Sequence, residues 1–381
     1  MFLLPGLPGC LLRRSRLSAD GVAPETIGAA AGRPAAGCPP RDNKPMTPGR
    51  LGRRRAITIL GTFAGIPLLA TDRRATDPAV LYQWTGTALG SPARVLLYHP
   101  MRMQVQRVVA LCTAEIERLE RIFALYRPDS EIARVNLDGR IAQPSDDLLL
   151  VLSLCERLSA LSDGAFDVTV QPLWDLYARH FFGAETPPRE GPSPRAIAVA
   201  RSLVNWKEIA FSGRQVALGR PGMGLTLNGV AQGYLTDRVV DILRNNGFDR
   251  LLCDFGKSEI AVIGRRADNR PWRVGLADPR QPEKFASVLD LLQGALCTSG
   301  GYGTKFEASG KYHHLFDTAT GTSASHYIAT SVLAPSAMVA DALSTALYVA
   351  PPCRSRDMLA NYPGAKALMT LPDGAVQHLP G

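Results

Sequence analysis

The sequence predicts an α+β protein in which long helices pack against mixed sheets. Apolar residues recur with helical spacing in several blocks, and strand-like segments follow one another without regular alternation with helices. The chain has 381 residues, 46% of them apolar, which is enough to bury a large core. Because no apolar run reaches about 18 residues, a protein with several membrane-spanning helices is excluded.

The first elements of the predicted domain are strands followed by a long helix. Residues 80–110 favour strands, with turns at Gly86 and at 90–92. Apolar residues at helical spacing over 105–124 predict a helix that packs one face on the core.

Ser145 is a favourable N-cap for a second helix over 146–161. The segment 183–196 is rich in Pro, Gly and Glu and is the most favourable internal boundary. A helix over 231–245 ends at the Asn246-Gly247 pair. The remaining predictions are strands near 214–218, 223–228, 251–254, 260–263, 272–276, 287–292, 295–298 and 328–333, and a final helix over 338–349.

Residues 1–74 have the character of an export leader, and residues 75–381 are predicted to form one domain. Arg53-Arg54-Arg55 precedes a mildly apolar run over 56–70, the order of a twin-arginine signal. We therefore expect a periplasmic protein, with an uncleaved membrane anchor as an alternative. Met46 is a second candidate start.

The positive charge of the chain is confined to this leader. Residues 1–74 hold 12 Lys and Arg against 4 Asp and Glu, whereas the other 307 residues hold 31 against 30. A nucleic-acid-binding domain is therefore not expected. The seven cysteines contain no C-x-x-C pair, which argues against a thiolate zinc site or a disulfide framework. Cys112, Cys155 and Cys253 are expected in the core.

Four short clusters carry the candidate chemistry. Segment 164–173 is interpreted as a glycine turn leading into a strand that carries Asp167. Segment 228–234 joins a strand to a helix, and its glycines would let backbone N–H groups approach an anion. Segment 298–317 combines a glycine-rich stretch with the pair His313-His314.

In the fourth cluster, Asp341 and Thr345 are four residues apart and share one helix face. A carboxylate and a hydroxyl at this spacing suit an octahedral Mg²⁺. Each of the four clusters also has an ordinary structural interpretation: a capped turn, a tight strand–helix turn, a hairpin with one buried histidine, and a helix-start Asp with a back-bonded Thr.

The order of these blocks resembles the ApbE family, the FAD:protein FMN transferases. The resemblance covers residues 80–350 and includes 88–90, 126–132, 164–173 and the three later clusters. It implies a two-lobed α+β fold that takes FAD and Mg²⁺. It also implies transfer of FMN to a Thr or Ser of a partner protein with release of AMP.

The resemblance also assigns roles to individual residues. His314 lies near the transferred phosphate, and His314 and Asp341 are both candidates for the base. Metal contacts are expected from Gly229, Asp341, Ser344 and Thr345. Flavin contacts are expected from Leu89, Tyr126, Ala165, Phe166, Asp167 and Leu315. Thr226 and Gln232 occupy two further cofactor positions.

Thr226 and Gln232 depart from the family pattern, which usually has Asp and Lys there. These departures favour, as an alternative, a non-catalytic periplasmic FAD-binding carrier or maturation factor. An unrelated exported binding protein is a further alternative. An exported branch of the family flavinylates a membrane electron-transfer partner during nitrous oxide reductase maturation, and the leader suits such a role.

Overall fold

The computed structural model describes residues 80–183 and 188–380. The predicted leader and its arginine motif lie outside the described residues. The described residues combine helices with antiparallel sheets, which confirms the α+β prediction. None of the described helices is long and apolar enough to cross a membrane.

The helices and strands have the following bounds. The α-helices are α1 (Arg102–Phe123), α2 (Glu131–Asp138), α3 (Asp146–Leu161), α4 (Gln171–Phe182), α5 (Pro194–Arg201), α6 (Ala231–Asn245), α7 (Ala337–Val349) and α8 (Ser355–Ala360). The strands are β1 (Val80–Ala88), β2 (Ser91–His99), β3 (Arg140–Ala142), β4 (Ile209–Ser212), β5 (Gln215–Leu218), β6 (Leu251–Phe255), β7 (Glu259–Ile263), β8 (Trp272–Asp278), β9 (Gln281–Leu291), β10 (Gln293–Ser299), β11 (Phe316–Asp317), β12 (Thr322–Ser323), β13 (Ala329–Ala334), β14 (Lys366–Thr370) and β15 (Val376–Leu379).

An eight-stranded sheet organises the domain, in the order β1-β2-β6-β7-β10-β13-β14-β15. Every neighbouring pair in it is antiparallel. Smaller sheets, β3-β5-β4, β8-β9 and β11-β12, surround it.

Alternate residues of the large sheet face two different cores, as the two-residue period of a strand requires. One face packs against the helices and contributes Cys253, Ala261 and Cys297 to the main core. The opposite face contributes Leu252, Val262 and Leu296, which the β8–β9 hairpin covers.

One end of this sheet gathers the functional candidates. Ala88 ends β1, Phe255 ends β6, Glu259 begins β7 and Ser299 ends β10. The strand register places these residues at the same end, since Phe255 pairs with Glu259 and Glu259 pairs with Cys297.

The strongest periodic signals are confirmed. Helices lie over the predicted segments 105–124, 146–161 and 231–245. The Ser145 hydroxyl accepts a hydrogen bond from the Leu148 N–H, as an N-cap does. The strands predicted from residue 251 onward are also present, although β9 begins six residues earlier than expected. The three cysteines expected in the core are buried.

The turn predicted at Gly86 is wrong. Gly86 lies inside β1 and pairs with Ala93, and the chain turns at residues 89–90 instead. A Cβ on Gly86 would lie 2.6 Å from the Trp84 ring, so the glycine makes room for this indole.

The strands predicted over 164–173 and 223–228 are also absent. The Asp167 carboxylate accepts the Thr169 N–H, which forms a turn before α4 begins at Gln171. The backbone of Leu225 bonds to the Asn136 side-chain amide, so these groups are satisfied without a strand neighbour.

The helix expected to be final is followed by α8, β14 and β15. The second and fourth residues of β14, Ala367 and Met369, are buried, and the strand pairs with β13. The alternation of apolar and polar residues in this short segment is the sequence signal for the strand.

Candidate active site

Helices α6 and α7 cross closely at Gly233 and Asp341. A Cβ on Gly233 would lie 2.4 Å from the Ala337 carbonyl oxygen and 2.6 Å from the Asp341 Cβ. Only a glycine therefore allows this approach. The Gly233 N–H donates a hydrogen bond of 2.9 Å to Oδ2 of Asp341, which fixes the carboxylate at the start of α6.

A chain of hydroxyl groups lies beside Asp341. The Ser344 hydroxyl donates to the Asp341 carbonyl at 2.9 Å, and Ser299 Oγ lies 2.8 Å from Ser344 Oγ and 2.9 Å from Thr345 Oγ1. Because each hydroxyl has one proton, Ser299 donates to Ser344 and Thr345 donates to Ser299. The free lone pairs of Thr345 are then available to another group.

The Gly229 backbone lies against this chain of hydroxyl groups. A Cβ on Gly229 would lie 2.9 Å from Thr345 Oγ1, so the Gly229 backbone passes directly against the threonine hydroxyl. A carboxylate, a hydroxyl and a backbone carbonyl are hard oxygen donors of the kind that Mg²⁺ prefers. No group of three or more His, Cys, Asp and Glu gathers as a metal site in the described residues. A cation here would therefore depend on hydroxyl and backbone oxygens beside the one carboxylate.

The electrostatics of Asp341 also fit a cation. Asp341 is 3% exposed, and burial raises its pKa to about 7. In the part of the chain that the structure describes, the Gly233 N–H is its one hydrogen-bond donor and no basic side chain lowers this pKa. A buried carboxylate without a positive partner is costly, and a bound divalent cation would remove that cost.

Glu259 is a buried acidic residue at this end of the sheet that the sequence analysis missed. Burial, followed by the nearby Asp341, raises its pKa well above the usual range. Its carboxylate approaches Gly256, where an added Cβ would lie 2.5 Å from Oε2. An acidic residue opening the apolar segment 259–263 was the available signal.

The two histidines have different environments. His313 is buried, and its Nε2–H donates to the Ala324 carbonyl at 3.0 Å while Nδ1 accepts from the Leu315 N–H at 3.3 Å. Both ring nitrogens are therefore used within the protein. Burial lowers the pKa of His313 to about 4, so the ring is neutral and structural.

One ring nitrogen of His314, Nε2, has no hydrogen-bond partner within residues 80–183 and 188–380. Its Nδ1 lies 3.2 Å from the Thr304 carbonyl and must carry the proton, since a carbonyl only accepts. Nε2 is then an unprotonated acceptor. Burial, together with His313, lowers the pKa of His314 to about 4, so the ring is neutral at pH 7.

The 300–303 turn connects the histidines with the oxygen cluster. Ser299, at its start, belongs to the hydroxyl chain. A Cβ on Gly301 would lie 2.6 Å from the His313 ring, and one on Gly303 would lie 3.5 Å from the His314 ring. The structure thus places the glycine-rich stretch between Thr345 and the histidine pair.

Leu89, Tyr126 and Gln232 gather around the β1–β2 turn. The Tyr126 hydroxyl and the Leu89 N–H both donate to Oε1 of Glu120 at 3.0 Å. The Gln232 amide donates to the Ala88 carbonyl at 3.3 Å. Because Gln232 precedes Gly233, this group continues directly into the Asp341 cluster.

Asp167 is used to build its own turn. Its carboxylate accepts from the N–H and hydroxyl of Thr169 and from the Trp206 N–H. Burial raises the pKa of Asp167. Each oxygen of this carboxylate accepts at least one hydrogen bond from the protein, so Asp167 holds the turn in place.

The other residues assigned to flavin lie near this turn or beside the histidines. The Phe166 N–H is held by the Ser162 hydroxyl and that of Ala165 by the Ser162 carbonyl, while the Thr226 N–H donates to the Val168 carbonyl. The Thr318 hydroxyl links this turn to the 316–323 hairpin through the Gly164 carbonyl. Leu315, which follows His314, is buried.

Comparison with known proteins identifies the family of the chain. The ApbE family model matches residues 89–369. The FAD:protein FMN transferase of Vibrio cholerae is 31% identical over 242 residues, which cover 61% of this chain and 70% of the relative. The FAD:protein FMN transferase of Haemophilus influenzae is 29% identical over 270 residues, covering 66% and 77% of the two chains.

Solved structures share the fold. The flavin transferase ApbE from Vibrio cholerae superposes with a TM-score of 0.68 at 24% identity, covering 79% of this chain and 97% of that one. The ApbE protein from Thermotoga maritima gives a TM-score of 0.67 at 25% identity, covering 78% and 97%. Because the family model spans most of the described residues, the chain belongs to the ApbE family.

Proposed function

We propose that this protein is an FAD:protein FMN transferase that attaches FMN to a Thr or Ser of an acceptor protein. The observation that carries the proposal is the closeness of three features, namely buried Asp341, the hydroxyl chain that includes Thr345, and the Gly229 backbone. The 300–303 turn connects them to His314, whose Nε2 has no hydrogen-bond partner among the described residues. The relatives that carry the name FAD:protein FMN transferase support the same reaction.

Asp341, Thr345 and the Gly229 carbonyl are the residues that would hold Mg²⁺, with Ser344 supporting them through the hydroxyl chain. When bound, Mg²⁺ neutralises charge on the pyrophosphate of FAD and so favours its cleavage. The residues fit this cation because they supply only oxygen donors and one negative charge that has no basic partner among the described residues.

His314 is the favoured base. Its Nε2 accepts the proton of the acceptor hydroxyl, whose oxygen then forms a bond to the FMN phosphorus. The bond from that phosphorus to the AMP phosphate breaks, and AMP leaves. Asp341, the other candidate, has one oxygen held by the Gly233 N–H and is better placed as the metal ligand.

The leader and the family resemblance support a proposal for the location of the protein and for its partner. We propose that the arginines at 53–55 direct twin-arginine export, so that the enzyme acts in the periplasm on a membrane electron-transfer subunit. Nitrous oxide reductase maturation is one pathway of this kind. Replacing Arg53 and Arg54 by Lys should retain the protein in the cytoplasm, as measured by fractionation.

A non-catalytic FAD carrier is the alternative function. It is favoured by Gln232, which stands where the family usually has Lys and which donates one of its two amide hydrogens to the Ala88 carbonyl. A carrier would bind FAD but would not modify an acceptor.

The deciding experiment incubates the purified protein with FAD and an acceptor that carries a flavinylation sequence, with and without Mg²⁺. Mass spectrometry of the acceptor and release of AMP are measured. We expect metal-dependent addition of FMN by the wild type, a loss of at least about a hundredfold in Asp341→Ala, and a smaller loss in Thr345→Ala. Asp241→Ala, an exposed acidic residue on α6, is the matched control.

FAD binding without acceptor modification would favour the carrier. Transfer at the wild-type rate by Asp341→Ala would contradict the metal role of this residue. Absence of FAD binding by the wild type would contradict both functions.

A further inference from the structure

The β1–β2 hairpin is closed by a two-residue turn with an unusual residue. Ala88 pairs with Ser91, so Leu89 and Gly90 are the central residues. Both have positive φ, 48° and 80°, as a type I′ turn requires. Asn-Gly is the favoured pair for this turn, whereas a leucine with positive φ costs about 1–2 kcal/mol.

The surrounding structure holds this turn from two sides. Oε1 of Glu120, on α1, accepts the Leu89 N–H at 3.0 Å. The Gln232 amide donates to the neighbouring Ala88 carbonyl. A strained backbone persists where its surroundings determine it, and such sites concentrate where ligands bind.

The same Glu120 oxygen also positions Tyr126. It accepts the Tyr126 hydroxyl at 3.0 Å, and the Tyr126 ring packs against Gly90, where an added Cβ would lie 3.3 Å from the ring. Burial and the Glu120 charge raise the pKa of Tyr126, so the hydroxyl keeps its proton for this bond. The tyrosine is 46% exposed, which leaves much of its side chain open to a ligand.

We infer that Glu120 is a positioning residue for the flavin, because one carboxylate oxygen fixes both the Leu89 backbone and the Tyr126 ring. This inference rests on the proposed function, which assigns Leu89 and Tyr126 to the flavin. Glu120 itself does not contact the flavin; it presets the two residues that do. Its contribution is to binding, so it acts on FAD affinity and not on the transfer step.

The test measures FAD binding to the full chain by titration of flavin fluorescence, together with the melting temperature. We expect Glu120→Ala to weaken FAD binding about tenfold or more and to raise KM for FAD with little change in kcat. Glu120→Gln should restore most of the affinity, since its carbonyl oxygen can accept both hydrogen bonds. Glu117→Ala, an exposed glutamate on the same helix, is the matched control and should bind FAD as the wild type does.

A double-mutant cycle separates positioning from general stability. Tyr126→Phe removes only the hydroxyl, and its effect on FAD affinity should be much smaller in the Glu120→Ala background than in the wild type. Leu89→Asn should raise the melting temperature, because Asn suits the turn, while it weakens FAD binding.

The outcomes are distinguishable. Normal FAD affinity in Glu120→Ala, with a wild type that binds FAD, overturns this inference and leaves the proposed function intact. Failure of the wild type to bind FAD overturns both. If Glu120→Ala does not fold, the Tyr126→Phe and Leu89→Asn measurements decide: unchanged affinity in both contradicts the inference.

Discussion

Ser299 orients the Thr345 hydroxyl without carrying a charge. It accepts the Thr345 proton and donates its own to Ser344, so the Thr345 lone pairs are left for the cation that we propose. At the scale of single residues, hydrogen-bond direction therefore decides what a side chain can bind.

Ser299→Ala should weaken Mg²⁺ binding about tenfold, because Thr345 would then be free to turn its proton toward the cation. The measurement is the Mg²⁺-dependent rise in melting temperature at increasing metal concentration. Thr298→Val is the matched control, since the Thr298 hydroxyl pairs with Ser331 and not with the cluster. Equal Mg²⁺ affinity in Ser299→Ala and the control would contradict the predicted role.

The two histidines make stability depend on pH. Their pKa values in the folded protein are about 4, below the value of about 6.5 in an unfolded chain. Between pH 6.5 and 4 the unfolded state binds more protons, so stability falls as the pH falls through this window.

Lowering the pH from 7 to 4.5 should reduce the urea midpoint of the wild type relative to that of His314→Asn, which retains a donor for the Thr304 carbonyl but does not titrate. The raised pKa values of Asp341 and Glu259 act in the opposite sense, and they are common to both proteins. Chemical denaturation at the two pH values provides the measurement. A decrease of the same size in both proteins would contradict the low pKa of His314.

At the scale of elements, the close crossing of α6 and α7 forms the centre of the site. The absence of a side chain at Gly233 lets its N–H reach Asp341. The position of the Asp341 carboxylate is thus a consequence of helix packing, and a change in the distance between α6 and α7 would displace it.

Gly233→Ala should destabilise the protein by about 2–3 kcal/mol and reduce transfer, because its Cβ would overlap the Ala337 carbonyl. The free energy of unfolding is the quantity to measure. Gly213→Ala serves as the control, since no atom lies within 4 Å of its added Cβ. Similar free energies of unfolding in the two variants would contradict this prediction, because α6 and α7 could then move apart at little cost in stability.

At the scale of the whole molecule, the sheet register brings distant segments to one end. Leu89 and Glu120 are hydrogen-bonded although they are 31 residues apart in the sequence. Ser299 and Ser344 are hydrogen-bonded across a separation of 45 residues. The large antiparallel sheet and its helices provide the rigid frame that holds them.

Removal of residues 1–74 should leave the melting temperature and FAD affinity of the remaining chain unchanged, since we expect these residues to act as an export leader. Thermal melting and flavin titration of both forms provide the check. A large loss of stability in the shortened chain would show that the leader is part of the folded protein.

Local patterns in the sequence predicted much of the fold. The helices α1, α3 and α6 follow from apolar spacing over about four to six turns, and the start of α3 follows from the capping chemistry of Ser145. The segment 164–173 could not be predicted in this way, because the Asp167 side chain bonds to Trp206, 39 residues away.

The sequence by itself determined the α+β class, the main helices and, through the order of its blocks, the resemblance to the ApbE family. It also predicted roles for Asp341, Thr345 and His314 from their residue types, their spacing and the resemblance, and these roles stay predictions. The tertiary structure alone decided that Ser299 orients Thr345, that Glu120 joins Leu89 to Tyr126, and that His313 is structural. The physical reason is range: helical periodicity and capping act over about four residues, whereas these hydrogen bonds form only after folding brings separate elements together.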